Sequence, residues 1–127
     1  MVRPRVLVVD DDPAAQKIAL KALKLQGYET LACSDGFSAG AQLGAFAPDL
    51  VVLDLKMPGL SGFDVIKLMK SIPSYARIRI LVVSSMPRAE LEKARRAGAD
   101  DVLQKPIEYT ILQEKAAALL HTPSFRN

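Results

Sequence analysis

Two hydrophobic patterns alternate along the chain. Residues 6–9, 50–53 and 80–83 are short unbroken apolar runs rich in Val, Leu and Ile, as strands buried on both faces of a parallel sheet require. Residues 29–33 alternate more, which predicts an edge strand with one wetter face, and residues 101–104 predict a fifth strand. Between the runs the spacing becomes helical. Ile18, Ala22 and Leu25 recur on one side of a segment whose Lys17, Lys21 and Lys24 lie on another, and Gly27 ends it. A second helix is expected over 35–46, where Gly36, Gly40 and Gly44 suggest close packing of helix on sheet. Ser61 can cap a third helix carrying Phe63, Ile66 and Met69. Residues 87–97 predict a fourth with Leu91 and Ala94 inward, and 108–121 a fifth with Leu112, Ala116 and Leu119 inward. Five β-α units in strict alternation imply an open, doubly wound α/β fold, with five parallel strands, right-handed crossovers and helices on both faces.

Composition adds limits. A chain of 127 residues with 50% hydrophobic content suits one domain with a real core, expected over 1–121, and leaves 122–127 as a C-terminal tail or linker stub. No apolar run approaches the roughly 20 residues of a membrane span, and the start of the chain does not fit a signal peptide, so a cytoplasmic location is expected. The lone Cys33 cannot form an internal disulfide and reads as a core filler at a strand end. The net charge of +3 comes from 17 basic residues spread along the chain, with aromatics at only 6%. The densest group, Arg88, Lys93, Arg95 and Arg96, is interleaved with Glu90 and Glu92, which favours a solvated mixed-charge helix over direct nucleic-acid contact.

In doubly wound sheets, ligands bind in the crevice beyond the carboxyl ends of the strands. Polar residues stand at those ends here: Asp10, Asp11 and Asp12 after the first strand, Asp54 after the third, Ser84 and Ser85 after the fourth, Lys105 and Pro106 after the fifth. Carboxylates brought together from two strands repel unless a cation sits among them. With oxygen donors and no His or Cys at these positions, the donor set suits Mg2+ rather than zinc. A neutralised Asp54 can attack a phosphoryl group and form an acyl phosphate, with Lys105 and the Ser84 hydroxyl holding the added oxygens. Asp12 followed by Pro13 reads as a helix cap and first helical residue, and Asp100-Asp101 as surface. His121, with no carboxylate or second histidine near it in sequence, is expected at the solvent.

Four segments, VLVVDDD at 6–12, DLKMPGLSG at 54–62, VVSS at 82–85 and GADDVLQKP at 98–106, resemble in order and spacing the receiver domain of two-component response regulators. The resemblance covers nearly the whole chain. It implies a flavodoxin-like (βα)5 fold with strand order 2-1-3-4-5. It makes Asp54 the phosphoacceptor, Asp11 a direct Mg2+ ligand, Asp10 a ligand through water, and the backbone carbonyl of Lys56 a further ligand. Ser84 becomes the switch hydroxyl, Lys105 the partner of the phosphoryl group, and the Lys105-Pro106 bond cis. The implied protein is a phosphoacceptor that assists its own phosphorylation and dephosphorylation rather than an enzyme acting on other substrates. Its donor would be a histidine kinase or phosphotransfer protein, and its output a downstream protein or a fused output domain. The fourth helix, fifth strand and fifth helix form the family's usual partner or homodimer face, expected here to carry Arg88, Lys93, Arg96, Tyr109 and Gln113.

Some residues depart from the pattern. Val102 stands where the family often has an aromatic that couples to the hydroxyl's movement, and Ile107 replaces a common Phe. Lys56 and Met86 occupy positions that flank the phosphoryl group and are expected to set the lifetime of the phospho-aspartate. Two other classes compete. A haloacid-dehalogenase-type phosphohydrolase is suggested by Asp10-x-Asp12, but Ala14 is unsuitable and a later acidic motif and cap insertion are missing. A degenerate receiver that binds partners without phosphorylation is suggested by Val102, against the intact Asp10, Asp11, Asp54, Ser84 and Lys105. The 22 residues after Lys105 suffice for one helix and a tail, which leaves a stand-alone receiver or a piece of a larger regulator.

Overall fold

In the computed structural model, residues 2–121 are described; the tail expected at 122–127 lies outside them. The elements run β1 (Arg5–Val9), α1 (Pro13–Leu25), β2 (Glu29–Cys33), α2 (Gly36–Ala45), β3 (Leu50–Leu53), α3 (Gly62–Ser71), a 3-10 turn (Pro73–Tyr75), β4 (Arg79–Ser84), α4 (Arg88–Ala97), β5 (Asp101–Gln104) and α5 (Tyr109–His121). The strands form one parallel sheet in the order β2-β1-β3-β4-β5, as expected.

The unbroken apolar runs follow from two core layers. Leu7, Val9, Val51, Leu53, Ile80 and Val82 point to one side, where Ala39, Leu43, Ile66, Met69 and Leu91 of α2, α3 and α4 cover them. Val6, Val8, Leu50, Val52, Leu81 and Val83 point to the other, against Ala19, Ala22, Leu23, Leu112 and Ala116 of α1 and α5. Successive side chains alternate faces, so a strand covered on both has no polar positions left. Truncating a fully buried Leu53 or Leu81 to Ala costs about 2–5 kcal/mol.

Helix starts are fixed at the carboxyl edge of the sheet. Asp12 Oδ1 accepts the Ala14 N–H at 3.0 Å, with Pro13 in the first turn of α1. Asp35 Oδ1 accepts the Ser38 N–H at 2.7 Å. Ser61 and Asp64 form a reciprocal capping box. These caps turn the chain directly from strand into helix, leaving Asp10 and Asp54 at the crevice.

Four readings of the sequence need correction or refinement. The inward face of α1 is Ala15, Ala19, Ala22 and Leu23, whereas Ile18 is 36% and Leu25 67% exposed. Small residues face inward because α1 lies close against both the sheet and α5. The glycines of α2 face not the sheet but the neighbouring α3 layer: a Cβ on Gly36 would collide with Leu60, while Gly40 lies opposite Leu68 and Gly44 opposite Tyr75. Lys93 and Gln113 lie at the margins of the α4-β5-α5 face. Lys93 Nζ sits 5.5 Å from the Phe63 ring centroid on α3, and Gln113 Nε2 donates to the Ala22 carbonyl of α1 at 2.9 Å. The centre of the face is an ion-paired strip in which Asp101 meets Arg95 and Lys115, each at 2.9 Å.

Asp100 and Asp101 are half-buried structural groups rather than plain surface. Asp100 Oδ2 accepts the Ile80 N–H at 2.8 Å at the start of β4. Burial opposes ionisation of Asp101, but hydrogen bonds from Lys115 and the Val102 amide, with the Lys115 and Arg95 charges, hold its carboxyl below the usual value. Cys33 is buried and free. His121 is exposed as expected, with its Nε2 3.3 Å from the Tyr28 hydroxyl. No helix among the described residues is long and apolar enough to cross a membrane.

Candidate functional site

Among the described residues, the buried polar or charged side chains are Asp10, Asp54 and Ser84, at 5%, 6% and 0% exposure. All three lie at the carboxyl edge of the central strands. Backbone ladders bring them there: the Asp10 N–H donates to Cys33 O at 3.0 Å, that of Asp54 to Val9 O at 2.9 Å, and that of Lys105 to Ser84 O at 3.0 Å. Gly62 presses α3 onto this edge, since a Cβ there would collide with the Asp54 carbonyl oxygen and Leu55 Cα. The Lys105-Pro106 bond is cis, matching the expectation.

Lys105 Nζ bridges the two buried carboxylates, 2.9 Å from Asp10 Oδ2 and 3.3 Å from Asp54 Oδ2. The remaining oxygens take backbone donors: Asp10 Oδ1 accepts the Asp12 N–H at 2.9 Å, and Asp54 Oδ1 that of Lys56 at 3.4 Å. Asp11 is exposed, yet it can place a carboxylate oxygen within 4.8 Å of oxygens of Asp10 and Asp54. Two buried carboxylates thus share one ammonium, with the Asp11 carboxylate close beside them. Burial pushes the Asp10 carboxyl up, the Asp54 charge adds to this, and the hydrogen bonds from Lys105 and Asp12 only partly offset it. Burial works against the Lys105 ammonium, but the hydrogen bond to Asp10 and the two carboxylate charges outweigh it and raise its pKa. Excess negative charge on closely set oxygen donors fits a hard divalent cation.

Two residues without motif status complete the surroundings. The Gln16 amide donates to the Asp10 carbonyl at 2.6 Å, to Cys33 O at 3.0 Å and to Ser34 Oγ at 3.1 Å, tying the first two strand ends together. Across the site, Ser84 Oγ accepts the Met86 N–H at 3.3 Å, and Gln104 Nε2 donates to Met86 O at 3.0 Å. Nothing in the sequence marked either glutamine, because their partners, mostly backbone carbonyls, belong to other segments.

The model of the response regulator receiver domain matches residues 6–117. This chain belongs to that family. Receiver domains are signalling phosphoacceptors of two-component systems and interact with histidine kinases and output domains. Among solved structures, a response regulator from Chloroflexus aurantiacus is 27% identical, with a TM-score of 0.89 over 94% of this chain and 98% of that one. A receiver domain from Bermanella marisrubri is 36% identical, with a TM-score of 0.86 over 94% of this chain and 100% of that one. The DNA-binding dual master transcriptional regulator RpaA of Synechocystis sp. is 31% identical over 92% of this chain and 49% of its own length. This receiver therefore spans about half the length of that curated relative.

Proposed function

We propose that Asp54 is the residue that accepts the phosphoryl group, taking it from a phosphohistidine on a histidine kinase or phosphotransfer protein. The observation that supports this most is the pairing of buried Asp54 with Lys105, beside Asp10 and Asp11. A carboxylate held at 6% exposure without an ammonium partner would be costly; Lys105 supplies that partner at 3.3 Å. An Asp54 carboxylate oxygen attacks phosphorus, a new O–P bond forms, and the P–N bond to the donor imidazole breaks. The bonding pair stays on the imidazole nitrogen, and the ring leaves as neutral imidazole because its other nitrogen carries a proton in the donor or takes one there from solvent. Lys105 then pairs with the phosphoryl oxygens, and the Ser84 hydroxyl donates to another. Asp11 directly, Asp10 through water, Asp54 and the backbone carbonyl of Lys56 would hold Mg2+, which when bound offsets charge on the phosphoryl oxygens.

The output we assign to the α4-β5-α5 face, through a population shift in the loops after β4 and β5. Arg95 pairs with Glu92 and Asp101, so this face offers mixed charge, suited to a protein partner or a second receiver. Incubation with Mg2+ and acetyl phosphate, followed by intact mass, tests the acceptor assignment: wild type gains one phosphoryl group and Asp54→Asn gains none. Donor turnover surviving in Asp54→Asn would favour a phosphohydrolase instead, and no gain in either would favour a binding module.

A further inference from the structure

We propose that Gln104 is a latch that holds the β4-α4 loop in its unphosphorylated arrangement and couples movement of Ser84 to the output face. The proposal rests on the reading of Asp54 and Ser84 given above. Ser84 and Gln104 are register partners on β4 and β5, so their side chains share a face of the sheet. Both bind the same short segment. The Ser84 hydroxyl oxygen accepts Met86 N–H, and the Gln104 amide donates to Met86 O. Met86 is thus gripped at its amide by the residue that must turn toward a phosphoryl group, and at its carbonyl by a residue on the edge strand.

When Ser84 turns toward Asp54, Met86 loses its amide partner. The Gln104 hydrogen bond then opposes displacement of the loop that leads into α4. Val102, two residues earlier on the same face, is buried and apolar and has no side-chain polar atom with which to sense the loop. Gln104 is exposed, so a change in its hydrogen bonding is presented directly to anything docked on α4 and β5. Its amide is therefore a positioning group: it touches neither Asp54 nor Lys105 among the hydrogen bonds of the described residues, and acts through the Met86 peptide.

Gln104→Ala removes the donor, and Gln104→Glu keeps the size but cannot donate at neutral pH. Both variants are measured for phosphoryl incorporation from acetyl phosphate with Mg2+, and for amide hydrogen exchange at Met86 and along α4 before and after phosphorylation. Releasing the latch raises the fraction of competent loop, so both variants incorporate phosphate about two- to tenfold faster, the range one neutral hydrogen bond supports. Exchange at Met86 in the unphosphorylated variants rises, and the change in α4 on phosphorylation shrinks. Wild-type incorporation rates together with wild-type exchange in both variants would overturn the latch. A wild-type protein that takes no phosphoryl group would instead sink the reading of Asp54. Met86 exchange in the unphosphorylated variants would still decide whether Gln104 holds the loop.

Discussion

Replacing Asp11 by Asn separates the stability of the fold from the needs of the site. Its carboxylate oxygen lies within 4.8 Å of oxygens from both Asp10 and Asp54, and Lys105 already divides its charge between those two. At 4.8 Å a like-charge pair costs about 0.9 kcal/mol at the dielectric constant of water and about 3.5 kcal/mol at an effective value of 20. Exposure of Asp11 puts each pair near the lower figure. Two repulsive pairs, less the attraction to Lys105, leave about 1 kcal/mol of strain. Asp11→Asn in a chelator should therefore raise Tm by about 3–5 °C for a domain of this size. Divalent cation reverses the order, since a ligand at one hundred times its Kd adds about 2.7 kcal/mol to a protein that binds it. Wild type should overtake the variant as Mg2+ is titrated, and the gap in chelator should narrow in high salt. Thermal melts in chelator and in Mg2+ check this. A variant less stable than wild type in chelator, or one with an undiminished Mg2+ response, would refute the charge balance described for the site.

Asp101→Asn should lower stability at pH 7 by on the order of 1 kcal/mol, read from urea midpoints, because Asp101 is paired with partly exposed Arg95 and Lys115. Its folded pKa is depressed, so the stabilisation is fully present above the ordinary value of 3.8 and fades as pH falls below it; wild type and variant should converge in acid. Two alanine substitutions should act in opposite directions in thermal melts. Gly62→Ala drives a Cβ into the Asp54 carbonyl, costing about 1–3 kcal/mol and slowing phosphorylation, whereas Gly40→Ala meets Leu68 at an ordinary 3.6 Å and gains about 1 kcal/mol of helix propensity. Exchanging Lys56 and Met86 together should change the decay rate of the phospho-aspartate, followed by mass; an unchanged rate removes their assigned role.

The sheet was legible because strands covered on both faces leave a signature that helices of this length do not, and because four of the five strands ended in a residue type out of keeping with the run. Asp10, Asp54, Ser84 and Lys105 stood out for that reason, and the structure brings Asp10, Asp54 and Lys105 into contact. The phase of α1 was misread because hydrophobicity was weighed by size. Where a helix lies close to a sheet, alanines such as Ala19 and Ala22 take the buried positions, and Leu25 is left outside. The resemblance placed Lys93 and Gln113 on the α4-β5-α5 face, and the structure sets them at its margins, since the direction of a long side chain depends on neighbours such as Phe63 and Ala22 that are distant in sequence. Gln16 and Gln104 escaped notice on the same ground: their amides bind backbone carbonyls of other segments, and that pairing has no local pattern.

The central claim is tested most directly by locating the phosphoryl group chemically. Borohydride reduces an aspartyl phosphate to homoserine, so the protein is phosphorylated with acetyl phosphate and Mg2+, treated with borohydride, and mapped by peptide mass spectrometry. Homoserine at position 54 alone, lost when Mg2+ is chelated, is the result expected here. Homoserine at position 10 or 11, or none in a protein that still consumes the donor, would contradict it.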